Sequence, residues 1–329
     1  MFAFTIRRLL ASIPVLFFST LLVFLLVASS VDPLEPLRAK NPPVPHQTLV
    51  ALGTRLGLYH PLLQRYWDWL TGLVLHGNWG TPVQPGYHIA ARLSSSFLVT
   101  FRLVIFSIFC SLALAIAVGV FSAVRQYSKM DYVATSIGFL FLSLPTFWFA
   151  ALLKAWAIQF NSAVSPDHAL IDTIGEASPN PPSGFFPQLG DAFGHLLLPT
   201  ITLSLISYAS WSRFQRASML EVLNSDYIRL ARAKGLSRRR VLFRHALRNA
   251  LMPLTTQVAL DTAALLGGAV ITETVFEWHG MGYMFLQAVG NYDLFPLLAW
   301  LIVAALLVIV FNLIADLLYA VLDPRIRLA

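Results

Sequence analysis

The chain has 329 residues, 57% of them hydrophobic and 12% charged, with a formal net charge of +7. Soluble domains carry charge on roughly 25% of their residues, so this composition belongs to an integral membrane protein. The basic residues are clustered, which argues against nucleic-acid binding, and the one cysteine, Cys110, excludes an intrachain disulfide or a cysteine-based metal site.

Arg7 and Arg8 precede an apolar run at residues 9–29. A bilayer core needs about 20 helical residues. The run is longer than the roughly 7–15 apolar residues of a secretory leader, so it is expected to be a retained first span. Residues 31–96 form a polar insert with eight prolines. Helical pieces within it, L-V-A-L-G-T-R-L-G-L and L-L-Q-R-Y-W-D-W-L, are expected to pack as a small cap on the outer surface. Further spans are expected at 97–121, 132–160, 195–212, 254–275 and 295–315, the last continuing towards 322. Pro145 lies inside the third, where a missing backbone hydrogen bond should kink or break the helix. Pro199 lies in the first turns of the fourth. Residues 122–131, 161–194 and 276–294 read as loops.

The expected fold class is therefore an all-α integral membrane protein of six transmembrane helices. Residues 1–30 hold the N-terminus and first span, 31–96 the helical insert, 97–322 a five-span core, and 323–329 a basic tail. Six spans put both ends on one side. Sixteen Lys and Arg residues fall on that side and five on the other, so the positive-inside rule makes both termini cytoplasmic and the insert extracytoplasmic.

Charges inside spans each need a partner or a route to water. Arg102 and Lys154 are expected to snorkel outward. Asp261 lies eight residues past Pro253, about 12 Å along a helix at 1.5 Å per residue. Either it contacts cargo in a translocation pathway to which Pro145 also contributes, or it makes a buried hydrogen bond to a neighbouring span.

The most informative stretch is the cytoplasmic loop at 213–252, with ten Lys and Arg residues. Its pattern predicts two short helices joined at Gly235, which suits the left-handed position just past a helix end. Ser225 or Asp226 is expected to cap the first and Ser237 the second. Arg240, Arg244 and Arg248 recur every fourth residue and should share a face, and Phe243, Leu247 and Leu251 recur the same way beside Ala246 and Ala250, giving an apolar face. A basic amphipathic hairpin of this kind either lies on anionic headgroups or docks a partner.

The segment S-M-L-E-V-L-N-S-D-Y-I-R-L-A-R-A-K-G-L-S, followed by R-H-A-L-R-N-A-L-M-P, resembles the ATPase-docking loop of binding-protein-dependent ABC importer permeases. It is most similar to the peptide/nickel branch and its B-type dipeptide and oligopeptide subunits. The general pattern is Glu-Ala-Ala, three residues, Gly, nine residues, then Ile-x-Leu-Pro. Ala231, Gly235 and Leu247 keep it. Arg229, Leu230, His245 and Arg248 depart from it, in ways typical of the peptide branch. The opening I-R-R-L-L-A-S-I-P-V-L-F, the insert stretches G-L-Y-H-P-L-L-Q-R-Y and H-G-N-W-G-T, and the last span with its tail resemble the same family. So does E-T-V-F-E-W-H-G-M-G, with His279 where proline is usual.

The resemblance implies a permease subunit of an ATP-driven importer, for peptides, in the cytoplasmic membrane of a prokaryote. It implies a coupling segment at Ala231, Arg232, Ala233, Lys234, Gly235, Leu236 and Ser237, and an outer mouth at Glu273, Trp278, Gly280 and Gly282. The implied partners are a sister permease, two ATPase subunits carrying ATP and Mg, an extracytoplasmic solute-binding protein and the lipid bilayer. The chain has no G-x-x-x-x-G-K-[ST] phosphate loop, no H-E-x-x-H helix and no G-x-S-x-G elbow. It is therefore expected to be no enzyme, with no cofactor or metal of its own. The rival class is a secondary transporter or channel without an ATPase, which usually shows inverted repeats or charged midplane sites.

Overall fold

The computed structural model describes residues 2–42, 44–165 and 169–322. Among the described residues every regular element is a helix. This follows from the apolar composition, since a segment in lipid must satisfy its backbone hydrogen bonds internally. In chain order the helices are α1 (Phe2–Ser30), α2 (Glu35–Arg38), α3 (His46–Arg55), α4 (Leu62–His76), α5 (Ile89–Val124), α6 (Lys129–Ser143), α7 (Thr146–Val164) and α8 (Phe185–Leu223). After α9 (Asp226–Ala233), α10 (Arg238–Arg240) runs through a π-helical turn, Val241–Ala246, into α11 (Leu247–Gly268). The chain ends with α12 (Val270–Val275), α13 (Met281–Gly290) and α14 (Leu294–Leu322).

The chain divides into two compact units. The first comprises Met1–Thr100 and His279–Ile309. In it Phe24 of α1 packs with Tyr66 and Trp69 of α4 and Leu298 of α14, while Ile89 and Leu93 of α5 pack with Met281, Met284 and Ala299. The second comprises Phe101–Trp278 and Val310–Ala329. Here α8 is central, packed on α6, α7 and α11. A Cβ on Gly119 of α5 would lie 2.8 Å from the Ser212 carbonyl oxygen of α8, so a small residue is needed at that crossing. The segment before α8 is pinned to it. Asp191 accepts from the Ser178 hydroxyl, and His195 Nδ1 lies 3.1 Å from the Gly175 carbonyl oxygen.

Among the described residues four helices are long and apolar enough to cross a membrane: α1, α5, α8 and α14. The count becomes five if α6 and α7 form one span, although the axes of that pair bend by 103°. The expected third span is thus broken rather than kinked. Pro145 stands outside both helices with φ −62° and ψ 130°, and the helix before it ends at Ser143 because a residue preceding proline is driven from helical geometry. The expected span at 254–275 is also divided, at Ala269 between α11 and α12. Its first part carries Pro253, Gln257 and Asp261, and no long apolar window remains.

Several expected boundaries move. Helix α5 begins at Ile89, inside the expected insert, and α8 begins at Phe185, inside an expected loop. Helix α13 occupies most of the stretch read as the 276–294 loop. Helix α8 also runs on to Leu223, so Arg213 and Arg216 lie on it rather than in the 213–252 loop. The tail at 323–329 lies outside the described residues.

Candidate coupling surface

Helix α9 is short, and its two faces differ sharply. Ile228 and Ala231 are buried against Ala123, Met219, Val241, Ala246 and Ala250. Its other face exposes Arg229, Leu230, Arg232 and Ala233. The helix ends in a Schellman motif: the Gly235 N–H donates to the Arg232 carbonyl at 3.0 Å and the Leu236 N–H to that of Ala231 at 3.4 Å. Gly235 takes φ +75°, and an added Cβ would meet nothing within 4 Å. Glycine is required there for its backbone conformation and not for space. The seven residues singled out by resemblance therefore divide. Ala231 and half-buried Leu236 are the foot, while Arg232, Ala233, Lys234, Gly235 and Ser237 face outward.

The expected caps take a different form. Ser225 stands at the first N-cap, but its hydroxyl donates back to the Val222 carbonyl at 2.6 Å. Ser237 stands at the second with no side-chain capping bond. Of the expected apolar face, Ala246 and Ala250 are buried together with Val241 and Leu247 and Leu251 are half-buried, while Phe243 is exposed. The cause is the π-helical turn, which inserts extra rotation and changes the buried spacing from four residues to five and then four. Arg240, Arg244 and Arg248 are all exposed, joining Arg229, Arg232, Lys234, Arg238 and Arg239 in a basic surface. A hollow of about 390 Å³ opens between the two arms, lined by Val124, Leu223, Arg232, Leu236, Arg238 and Leu242 among others.

One bond ties α9 to α11, and two more tie the long helices around it to one another. Asn249 Nδ2 donates to Tyr227 Oη at 2.9 Å, joining α11 to α9, and Ser218 Oγ donates to the Ala250 carbonyl at 3.1 Å, joining α8 to α11. Arg216 of α8 then holds buried Asp131 of α6 through Nε and Nη2, both at 2.8 Å. Sequence reasoning missed Asp131, Tyr227 and Asn249. For Asp131 a signal existed: a lone acid at the start of an apolar run needs a partner.

The remaining residues of interest fall elsewhere. Asp261 accepts from Trp211 Nε1 at 2.6 Å and from Gln257 Nε2 at 3.0 Å, a bond to the neighbouring α8. Pro145 is exposed at the α6–α7 break. Glu273 and Trp278 are buried in the second unit, whereas Gly280 and Gly282 belong to the first, Gly280 preceding α13. The turn after α12 places Glu277, a non-glycine residue, at φ 53°. The two span cations bond to residues at the end of the fifth expected span and in the 161–194 segment, the side towards which they were expected to reach. Arg102 lies over the Trp278 ring at 5.3 Å and donates to the Glu176 carbonyl at 3.3 Å. Lys154 Nζ donates to the Val275 carbonyl at 2.6 Å, capping the C-terminus of α12. Among the described residues no group of His, Cys, Asp and Glu is arranged to hold a metal ion.

Comparison with known proteins covers the full chain. A family model described as "Binding-protein-dependent transport system inner membrane component" matches residues 115–328, and its N-terminal companion matches 1–117. The oligopeptide transport system permease protein OppB of Mycobacterium tuberculosis is 39% identical over 324 residues, 98% of each chain. AppB of Bacillus subtilis, also an oligopeptide permease protein, is 37% identical over 99% of this chain and 100% of its own. The dipeptide permease protein DppB of Escherichia coli is 34% identical over 99% of each. Among solved structures, the inward-facing MetNI methionine ABC transporter aligns with a TM-score of 0.55 at 18% identity, over 71% of this chain and 98% of the matched chain, a likeness of fold alone.

Proposed function

The chain belongs to the binding-protein-dependent transport system inner membrane components, and from that premise we propose that it is a peptide-importer permease whose α9 foot receives the motion of ATPase subunits. The family and its relatives make it a permease of a binding-protein-dependent ABC importer, with peptides as cargo. The observation that carries the coupling role is the split of α9: Ile228 and Ala231 rooted in the helical core, Arg232 to Ser237 presented outward on a glycine elbow.

The remaining parts follow from this reading. A sister permease completes the pathway and covers helix faces this chain leaves exposed. With that partner in place, the broken segments α6–α7 and α11–α12 count as the third and fifth of six spans, with both termini cytoplasmic. Two ATPase subunits bind ATP and Mg and hydrolyse it, and this chain itself performs no chemistry. A solute-binding protein delivers cargo on the side of the insert, near Glu273, Trp278, Gly280 and Gly282. The membrane is the cytoplasmic membrane of a prokaryote. Asp261 and Pro145 are candidates for the pathway.

Closure of the ATPase pair would press on Arg232, Lys234 and Ser237. Ile228 and Ala231 carry that displacement into α11 and α8. Such transmission needs an element with two arrangements that both sites bias, and the π-helical turn beside the foot, where the helical register is locally changed, is the element of this chain suited to it.

Affinity purification of the tagged chain from native membranes, with subunit identification and an ATPase assay, tests the assembly. The expected result is a second permease and ATPase chains, with hydrolysis stimulated by a solute-binding protein. The chain recovered alone, without ATPase activity, would instead favour a secondary transporter or channel.

A further inference from the structure

Helix α4 belongs to the insert, yet its partner is the middle of α1. Tyr66 Oη lies 3.0 Å from Thr20 Oγ1 and donates to the Phe17 carbonyl at 3.2 Å. The Tyr66 ring meets Phe24 edge-on at 5.4 Å, and Trp69 stacks on Phe24 at 6.4 Å. Helix α1 runs from Phe2 to Ser30, so its midpoint is residue 16. At 1.5 Å per residue, Phe17, Thr20 and Phe24 lie about 2, 6 and 12 Å beyond that midpoint. The hydrocarbon core extends about 15 Å on each side of its centre. All three contacts fall inside that depth, and a helix packed laterally on them shares it.

The outer surface of α4 fits the same environment. Leu63, Trp67 and Val74 are 65%, 57% and 72% exposed. With half-buried Leu70 they recur at four, three and four residues, a single line along the helix. A contiguous apolar stripe of this kind is rare on a surface facing water. On α1, against which α4 packs, Phe18, Leu22 and Leu26 are exposed as well. Gln64 and Asp68 occupy the next strip round α4 and are exposed as well, giving it a wall-facing, an apolar and a polar side. Its 15 residues reach about 22 Å, too short to cross a core of about 30 Å.

We propose that α4 is a half-inserted membrane helix, seated beside the second half of α1 with Leu63, Trp67 and Val74 turned to lipid acyl chains. The insert is thus an extramembrane cap only in part. The placement rests on side-chain packing and is independent of any coupling role of α9.

Single cysteines at positions 63, 67 and 74, and at 64 and 68 for comparison, on a Cys110→Ser background, would carry a nitroxide in the intact transporter in lipid nanodiscs. Power-saturation measurements then compare collisions with oxygen, which partitions into lipid, and with a water-soluble nickel chelate. Labels at 63, 67 and 74 should show a higher oxygen-to-nickel ratio than those at 64 and 68, approaching that of a lipid-facing label at Leu22. Ratios at 63, 67 and 74 equal to those at 64 and 68 would overturn the proposal by placing the stripe in water. Occlusion of 63, 67 and 74 from both reagents would overturn it by placing another protein there. Contact of Trp67 with acyl chains is checked independently by brominated-lipid quenching: the Trp67→Phe variant should lose part of the quenching seen in the parent protein, and no change in quenching would count against the proposal.

Discussion

Arg216 grips Asp131 in a two-pronged ion pair, Nε and Nη2 each 2.8 Å from a different carboxylate oxygen. The Asp131 side chain is 4% exposed and that of Arg216 27%. The same carboxylate accepts from the Ser122 hydroxyl and from the Tyr127 N–H at 2.9 Å. It therefore fixes the end of α5, the start of α6 and the C-terminal part of α8 together. Tyr127, held at φ 63°, is part of the same tight turn.

Removing one partner of such a pair leaves the other charge buried and unpaired. Asp131→Ala should destabilise the protein by about 3–5 kcal/mol, read as a shift in denaturant-induced unfolding in detergent. Exchanging the two charges should not restore stability, because Ser122 and the Tyr127 N–H would then face a guanidinium that cannot accept a hydrogen bond. Full recovery in the exchanged double variant would show that charge pairing alone matters.

Lys154 offers a smaller test. Its Nζ bonds the Val275 carbonyl at 2.6 Å and lies 3.7 Å from Glu277 Oε1. Lys154→Met keeps the apolar stem and removes the cap, and should cost about 1–2 kcal/mol. The same loss in a Glu277→Gln variant would point to the ion pair instead of the helix end. Glu277 is 58% exposed, so its pairing is expected to contribute little.

Asp293 should make the first unit sensitive to pH. It stands between α13 and α14, accepts from the Val83 N–H at 2.8 Å and is 7% exposed. Burial pushes its pKa up to about 6, against the opposing pull of the Val83 and Phe295 N–H groups and of Arg55. The folded state therefore binds this proton more tightly than the unfolded chain. The resulting stabilisation is complete below the ordinary carboxylate range and is lost as pH rises through about 6. Thermal stability of the purified protein should rise between pH 7 and pH 5, and Asp293→Asn should flatten that slope. An unchanged slope in the variant would assign it to other groups.

The apolar runs and the glycine elbow were legible in the sequence because each rests on a local rule. Gly235 has the positive φ its position demanded, and α9 ends where expected. What failed was phase. Ala246 and Ala250 of the expected apolar face are buried, but placing Phe243 on it assumed 3.6 residues per turn, and the π-helical turn at Val241–Ala246 broke that assumption. Pro145 marked a discontinuity, but a helix kink and a 103° break have the same local signature. The partners of Asp131, Lys154 and Asp261 come from residues 85, 121 and 50 positions away, and one sequence carries no signal for contacts at that separation. For α4 the helix was legible, but its depth depended on where Tyr66 docks along α1.

The central claim is that the Gly235 elbow transmits ATPase motion, and uptake and hydrolysis measured together in the reconstituted assembly test it most directly. Gly235→Val forces a β-branched residue into left-handed geometry, which costs an L-residue about 1–2 kcal/mol, whereas Gly235→Asn tolerates it. Since nothing crowds the site within 4 Å, both variants should insert and assemble. The account predicts that the valine variant hydrolyses ATP with peptide uptake lost, and that the asparagine variant keeps most uptake. Normal coupled uptake in the valine variant would contradict it.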